Sequence, residues 1–287
     1  MKRNHILMAA LLASSLAANA QVKINVDAAN PGVKVSPNLY GIFFEDINHA
    51  ADGGLYAELI SNRSFEDSDT AIPTWRTSAA KGASISSQLV SKALLNNAQG
   101  KALQLTLNAS PSATASLLNE GFWGINSVQG RTYRLSLFAK GSYKGSLKAR
   151  LVSADGKKVY AETAIGGSIG KKWNKLTAQL TATANDPKAQ FELVFDGKGT
   201  VTLDVVSLFP PTFKNRPNGL RPDLAQLLYN IHPKFVRFPG GCYVEGQESP
   251  ENAFHWEKTI GPIEERPGHK NVNWRYRTSD GMGFDEY

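Results

Sequence analysis

Two short apolar runs in this sequence end abruptly in residues that could bind or react. Leu39–Phe44 is followed directly by Glu45 and Asp46, and Phe235–Phe238 is followed by the run Pro239-Gly240-Gly241-Cys242. A carboxylate can accept two hydroxyl hydrogen bonds at once, and paired glycines let the backbone approach a ligand closely. Because parallel strands bring such groups to one edge of their sheet, the pattern predicts a binding pocket where the two strands end.

Each of these residues also has a plainer interpretation. Glu45 and Asp46 could be a surface pair that caps the next segment, and one of the two adjacent side chains is expected to point away from the pocket. Gly240-Gly241 could be an ordinary tight turn. Cys242 could in principle act as a nucleophile, but no His lies near it in the sequence, and a lone Cys is more often a small packed side chain.

The sequence gives no sign of a cofactor, metal or disulfide. A single cysteine excludes an intramolecular disulfide, and the five histidines lack the H-x-H or H-E-x-x-H spacing of zinc sites. The run 166–170 matches the G-x-S-x-G motif of esterases, which needs a strand before it and a helix after it. Here the alternation that follows is strand-like, so a loop is the favoured interpretation.

The elements that would position these groups fall into two kinds. Val22–Val35 alternates loosely and predicts a strand, Leu39–Phe44 predicts a second and buried strand, and Leu55, Leu59 and Ile60 have the spacing of a helix. Residues 21–61 are therefore predicted to hold an N-terminal strand and a first βα unit. After the next 148 residues, 62–209, this pattern resumes in 210–287.

Residues 62–209 have a different hydrophobic pattern from the segments on either side. Short pieces alternate with period two, as at Leu103, Leu105 and Leu107, and turn sequences such as Ala154-Asp155-Gly156 separate them. This pattern predicts an antiparallel sandwich of the jelly-roll kind. In 210–287, a leucine stripe after Pro222 predicts a helix, and Phe235–Phe238 predicts the next strand.

The predicted fold class is thus α/β plus all-β, with the sandwich inserted into an α/β domain. The α/β parts together hold roughly 120 residues, whereas a (β/α)₈ TIM barrel needs about 250. We therefore expect residues 210–287 to continue an incomplete barrel in a sequence truncated at its C-terminal end.

Residues 1–20 have the features of a secretory signal peptide. Lys2 and Arg3 precede a short apolar run, and Ala18-Asn19-Ala20 is an A-x-A cleavage site. We expect export to the periplasm or the outside. No later run reaches the roughly 18 apolar residues of a membrane helix, so no membrane partner is predicted. The net charge is +7, but the lysines are scattered, which favours solvated strand faces over a nucleic-acid surface.

Four motifs in a fixed order resemble α-L-arabinofuranosidases of glycoside hydrolase family 51. The four runs are Tyr40–Ile47, Arg237–Cys242, Gly261–His269 and Thr278–Tyr287. The insert, from Asn62 to about Val206, resembles carbohydrate-binding modules of the family 4 and 9 kind. Together these resemblances cover nearly all of the chain after the signal peptide.

The resemblance implies a retaining hydrolase that releases terminal arabinofuranose from arabinoxylan or arabinan. It implies that the acid/base and nucleophile glutamates lie on later barrel strands, beyond residue 287, so that no catalytic residue is expected here. It implies that Glu45, Gly241 and Cys242 belong to the sugar-binding subsite and orient hydroxyls. It also implies that Val22–Val35 belongs to a sandwich completed by strands from beyond residue 287.

Two other functions stay open at this point. The chain could be a non-catalytic carbohydrate-binding protein, or a related barrel glycosidase that acts on another glycan. Most aromatic residues of the insert are expected in its core, and one or two exposed rings would form a sugar-stacking platform. The oligomeric state is undetermined. The aromatic candidates are Trp75, Phe122, Trp123, Tyr133, Tyr143 and Trp173.

Overall fold

The computed structural model describes residues 22–287, and the predicted signal peptide lies outside them. The chain divides into two units, Met1–Leu39 and Tyr40–Tyr287. The described part of the first unit, 22–39, contains turns and no strand, and the side chains of Val22, Ile24 and Val26 are each more than four-fifths exposed. The strand predicted over Val22–Val35 is therefore wrong for this chain, because its backbone groups and apolar side chains find no partner strand to pair with.

The second unit contains fifteen strands, two α-helices and several short helical turns among its residues, 40–287. The strands are β1 Ile42–Phe43, β2 Trp75–Ala79, β3 Ser84–Val90, β4 Ala102–Asn108, β5 Ala115–Asn119, β6 Ile125–Ser127, β7 Thr132–Gly141, β8 Leu147–Val152, β9 Val159–Ala164, β10 Asn174–Thr181, β11 Asp186–Phe195, β12 Lys198–Phe209, β13 Val236–Arg237, β14 His269–Asn271 and β15 Tyr276–Thr278. The α-helices are α1 Pro222–Asn230 and α2 Cys242–Glu245. The 3₁₀ turns are Phe213–Asn215, Pro250–Asn252, Trp256–Thr259 and Ile263–Glu265.

β1 and β13 form a parallel pair in which Ile42 lies opposite Val236. Within residues 22–287 each of these strands pairs only with the other. Phe43 and Val236 are accordingly 53% and 44% exposed. The parallel arrangement agrees with the sequence, but the expectation that Leu39–Phe44 is a buried strand is wrong, because Leu39, Tyr40 and Phe43 are each more than half exposed in the described chain.

The predicted antiparallel sandwich is present as two sheets. Their strand orders are β10-β7-β12-β4-β3 and β2-β5-β11-β8-β9, with β6 pairing to β11. The alternation in the sequence gives the buried faces directly: Leu103, Leu105 and Leu107 are at most 3% exposed, whereas Thr106 between them faces solvent. Both sheets contribute to one core, because leucines and aromatics of β4, β7, β11 and β12 all pack in the same cluster.

The whole sandwich lies in the connection between the two parallel strands β1 and β13. Its entry and exit segments are adjacent: the Leu59 N–H donates to the Leu208 carbonyl at 3.0 Å, and the Val206 N–H donates to the Arg63 carbonyl at 2.9 Å. The sandwich is therefore a folded insertion whose two ends meet.

Helix prediction succeeds after the insert and fails before it. α1 begins at Pro222 as expected, with Leu224 and Leu228 packed against a second, smaller core. The helix predicted from Leu55 to Ile60 is absent. The segment Ala51–Leu55 contains non-helical backbone angles, and the chain then runs extended. The reason is that Leu55 packs in the smaller core and Ile60 in the sandwich core, so these residues cannot share one helix face.

Among residues 22–287 there is no helix of sufficient length and apolar character to cross a membrane.

Candidate functional site

Glu45 and the glycine pair lie at the same edge of the parallel strands. The ladder continues past β1 and β13, because the Phe44 N–H donates to the Arg237 carbonyl at 2.9 Å and the Asp46 N–H to the Pro239 carbonyl at 3.1 Å. Both strands therefore end side by side, as the sequence predicts for groups at the carboxyl ends of parallel strands. Glu45 is partly exposed there.

Glu45 is held by the segment that follows the glycines. Its Oε1 atom accepts a 2.9 Å hydrogen bond from the Tyr243 N–H, near the start of α2. A Cβ on Gly240 would lie 2.4 Å from Glu45 Cγ, so only glycine fits at this position. A Cβ on Gly241 would lie 3.8 Å from Oε2. Oε2 has no hydrogen-bond partner in the described part of the chain and is available to a ligand.

Cys242 begins α2 directly after the glycines, and its side chain is exposed. Its backbone carbonyl accepts a 2.7 Å hydrogen bond from the Asn273 amide, which ties this turn to the loop between β14 and β15. The structure thus brings Glu45, Gly241 and Cys242 into one small region, although nearly two hundred residues separate Glu45 from the other two.

Asp46 points the other way from Glu45 and is fully buried. Its Oδ1 atom accepts the Ala51 N–H at 2.9 Å, while Oδ2 has no partner. Burial, with the added charge of Asp52, raises the pKa of Asp46 to about 7. Of the adjacent carboxylates, Asp46 is therefore the one that supports the backbone, and Glu45 is the one that a ligand can reach.

The hairpin β14–β15 supports this edge in a way that the sequence did not reveal. The Tyr276 hydroxyl donates to the Asp46 carbonyl at 2.9 Å, and the Asn271 amide donates to the same oxygen at 3.0 Å. The His49 ring stacks on the Tyr276 ring with centroids 3.9 Å apart. Asp52 accepts both the N–H and the hydroxyl of Ser279, at 2.6 and 2.9 Å.

A buried ion pair lies where the chain enters and leaves the sandwich. Glu58 and Arg63 approach to 3.7 Å and are both 3% exposed. Glu58 accepts hydrogen bonds from the Ser207 hydroxyl at 2.5 Å and from the Leu208 N–H at 2.8 Å, both at the end of β12. Burial raises the pKa of Glu58, and the charge of Arg63 opposes that shift. Arg63 in turn donates to the Tyr56 hydroxyl at 3.1 Å.

An apolar groove of about 420 Å³ lies away from this edge, between the strand pair and α1, and is lined by residues such as Ile42, Phe44, Leu228 and Met282. A smaller polar cavity of about 50 Å³ lies between the hairpin and the sandwich, with Asp52 and Tyr276 among its lining residues. In the described residues, no three His, Cys, Asp or Glu side chains are grouped as metal ligands would be.

Known proteins similar to this chain are α-L-arabinofuranosidases. The family model described as "Alpha-L-arabinofuranosidase 1 domain" matches residues 227–287. Alpha-L-arabinofuranosidase 1 of Arabidopsis thaliana is 38% identical over 93% of this chain and 40% of its own length. An extracellular exo-alpha-L-arabinofuranosidase of Streptomyces chartreusis is 36% identical over 98% of this chain and 35% of its own length.

A solved structure extends this similarity to the fold. An arabinose-bound GH51 α-L-arabinofuranosidase is 37% identical and superposes with a TM-score of 0.80, over 90% of this chain and 43% of that one. The chain thus spans about two-fifths of the length of the relatives that it matches. Over most of its own length, this protein is similar in sequence and structure to the GH51 α-L-arabinofuranosidases.

Proposed function

We propose that this chain is part of a glycoside hydrolase that removes terminal, non-reducing α-L-arabinofuranosyl residues from arabinose-containing polysaccharides such as arabinoxylan or arabinan. The similarity to named arabinofuranosidases, one of them with arabinose bound, supports the activity. The reaction is the retaining one, in which one carboxyl group acts as acid/base and another as nucleophile.

The observation that carries the proposal is the arrangement of Glu45. Its carboxylate is held in place by the Tyr243 N–H, lies against Gly240 and Gly241, and keeps one oxygen unbonded among the described residues. Such an acceptor binds a sugar hydroxyl in a fixed direction. In this proposal Glu45, Gly241 and Cys242 form a sugar subsite, and none of them breaks the glycosidic bond.

The same similarity supports a domain arrangement for this proposal. The pair β1–β13 with α1 belongs to a (β/α)₈ barrel, and residues 62–209 are an inserted jelly roll that binds carbohydrate. Residues 1–20 are a signal peptide, and the protein is exported. The extracellular relative from Streptomyces chartreusis supports export.

The activity is tested with a panel of nitrophenyl glycosides and the intact enzyme. Hydrolysis of 4-nitrophenyl α-L-arabinofuranoside, with little or none of the β-D-xyloside or β-D-glucoside, is the expected result. Faster hydrolysis of another glycoside would mean that the substrate is that sugar and not arabinofuranose. Binding of arabinoxylan without any hydrolysis would favour a carbohydrate-binding protein instead.

Retention of configuration has its own test. Proton NMR of the first product formed from the nitrophenyl arabinofuranoside is expected to show the α-anomer before mutarotation. The β-anomer as first product would mean inversion and would contradict the two-step mechanism.

A further inference from the structure

Trp123 is much more exposed than the tryptophan and tyrosine side chains in the sandwich core. Trp75, Tyr133 and Tyr143 are at most 6% exposed, whereas Trp123 is 58% exposed. It lies in the short connection between β5 and β6. An exposed indole of this size presents a flat apolar surface together with a polar N–H group, and both suit a sugar ring.

The position of Trp123 is fixed by its neighbours. The Lys188 ammonium donates a 2.8 Å hydrogen bond to the Trp123 carbonyl. The next residue, Gly124, has a φ of +98°, and a Cβ there would lie 2.8 Å from Lys188 Cα. The His49 ring packs perpendicular to the indole with centroids 5.6 Å apart. The Trp123 side chain is therefore already held in place before a ligand binds. Binding then costs little conformational entropy, which favours affinity.

Two open grooves meet at Trp123, and one of them carries groups that can bind hydroxyls. This groove has a volume of about 290 Å³ and is lined by Glu120, Lys188 and Gln190 as well as Trp123. Gln190 uses its oxygen to accept a 2.7 Å hydrogen bond from Arg76, and its amide nitrogen has no partner among residues 22–287. Carboxylate, amide and ammonium groups around an aromatic ring suit a polyhydroxylated ligand better than an apolar one.

A line of contacts leads from Trp123 to the candidate sugar subsite. Trp123 packs on His49, His49 stacks on Tyr276, and the Tyr276 hydroxyl bonds the backbone of Asp46, the neighbour of Glu45. Trp123 is thus linked through two packed rings to the segment that bears Glu45. A branched polysaccharide could place its side-chain sugar at Glu45 and a sugar of its main chain at Trp123.

We propose that Trp123, with Glu120, Lys188 and Gln190, is a binding site for a pyranose ring of the polysaccharide main chain, of the β-1,4-linked xylan type. The ligand class rests on the proposed function. A six-membered ring with equatorial hydroxyls has flat C–H faces that cover an indole, and its hydroxyls point outward to the polar groups around it. The second groove, of about 370 Å³, shares Trp123 and gives room for the next sugar.

Calorimetric titration of the full chain with xylohexaose tests the site without any hydrolysis. Trp123→Ala is expected to weaken binding about tenfold or more, and Trp123→Phe by less, because the phenyl ring keeps part of the stacking surface. Trp256→Ala is the matched control, since Trp256 is 54% exposed but lines neither of the two grooves at Trp123. It is expected to bind like the wild type.

Thermal unfolding of each variant separates lost binding from lost folding. Equal affinity of wild type and Trp123→Ala would overturn the proposal, and so would an absence of xylohexaose binding to the wild type. A preference for linear α-1,5-arabinohexaose over xylohexaose would overturn the pyranose assignment. Hydrolysis of the nitrophenyl arabinofuranoside is measured separately. If xylohexaose does not bind at Trp123, the proposed activity is unaffected. If the arabinofuranoside is not hydrolysed, the binding result can still be interpreted.

Discussion

Glu45 and Tyr243, 198 residues apart in the sequence, are joined by a 2.9 Å hydrogen bond from the Tyr243 N–H to the Glu45 carboxylate. This bond connects the segment that follows β1 to the helix that follows β13. It fixes one carboxylate oxygen, and the other has no hydrogen-bond partner among residues 22–287. The sandwich of residues 62–209 separates the two partners in the chain but does not separate them in space.

Replacing Glu45 by Gln is expected to weaken substrate binding without unfolding the protein. The amide oxygen can still accept the Tyr243 N–H, but a neutral acceptor replaces a charged one on the substrate side. A hydrogen bond to a charged group is worth about 1 kcal/mol more than one between neutral groups, so kcat/KM should fall by roughly fivefold in the intact enzyme. Steady-state kinetics with the nitrophenyl arabinofuranoside measures this. Glu251→Gln, at an exposed position, serves as the control. Unchanged kinetics in Glu45→Gln would remove Glu45 from the subsite.

Replacing Gly240 by Ala is expected to displace the Glu45 side chain. The new Cβ would lie 2.4 Å from Glu45 Cγ and 2.9 Å from Cδ, and neither distance is possible without movement. Overpacking of this kind costs about 1–3 kcal/mol of stability, and kcat/KM should fall with it. Gly166→Ala is the control, because nothing lies within 4 Å of its Cβ. If Gly240→Ala matches Gly166→Ala in both urea denaturation and kinetics, the close packing of Glu45 on Gly240 is not important in solution.

Replacing Arg63 by Met is expected to destabilise the protein strongly. The change leaves Glu58 buried without its cation and the Tyr56 hydroxyl without its donor. Removing one partner of a buried pair costs about 3–5 kcal/mol. Urea denaturation gives the free energy of unfolding. Lys157→Met, which removes the cation of a pair at the surface, should change that free energy by less than about 0.5 kcal/mol. Similar losses for both variants would mean that the buried pair contributes no more to stability than a pair at the surface.

Asp46 is expected to make stability depend on pH. Its pKa in the folded protein, about 7, is above the usual 3.8, so the folded state holds a proton that the unfolded state releases. The stabilisation from Asp46 is therefore complete below about pH 4 and is lost as the pH rises through about 7. Asp46→Asn keeps an acceptor for the Ala51 N–H and has no charge to bury. Relative to the wild type, its stability should rise between about pH 4 and pH 7, by up to about 4 kcal/mol, and stay constant above that range.

The measurement for Asp46 is the free energy of unfolding in urea at a series of pH values. Asp155→Asn is the control, because Asp155 is exposed and hydrogen bonds to Ser153 lower its pKa. It should follow the wild type across this pH range. Parallel curves for wild type and Asp46→Asn would show that Asp46 is ionised in the folded protein at neutral pH.

Strands and helices were predicted correctly where a local sequence pattern determines them. Alternation such as Leu103, Leu105 and Leu107 marks a strand with one buried face, and Pro222 with the leucines after it marks a helix start. The same reasoning wrongly predicted a helix over Leu55–Ile60, because helical spacing does not show that Leu55 and Ile60 pack in different cores.

The site was predicted in part for a related reason. Glu45 and Gly241 each follow an apolar run, so their meeting at one edge could be expected from parallel pairing. Tyr276 and His49 gave no signal, since their contacts join segments 227 residues apart and follow no period. A close reading of Asp52-Gly53-Gly54 could have identified a constrained loop, but its partner Ser279 is visible only in the fold.

The meeting of the two ends of the sandwich has a consequence for the order of folding. While the insert is unstructured, β1 and β13 are the ends of a very long flexible chain. Once the insert folds and brings Leu59 next to Leu208, the length left to close is roughly fourfold shorter, which lowers the entropic cost of pairing the two strands by about 1 kcal/mol. Folding of the sandwich before the strand pair forms therefore lowers the cost of assembling the edge that bears Glu45.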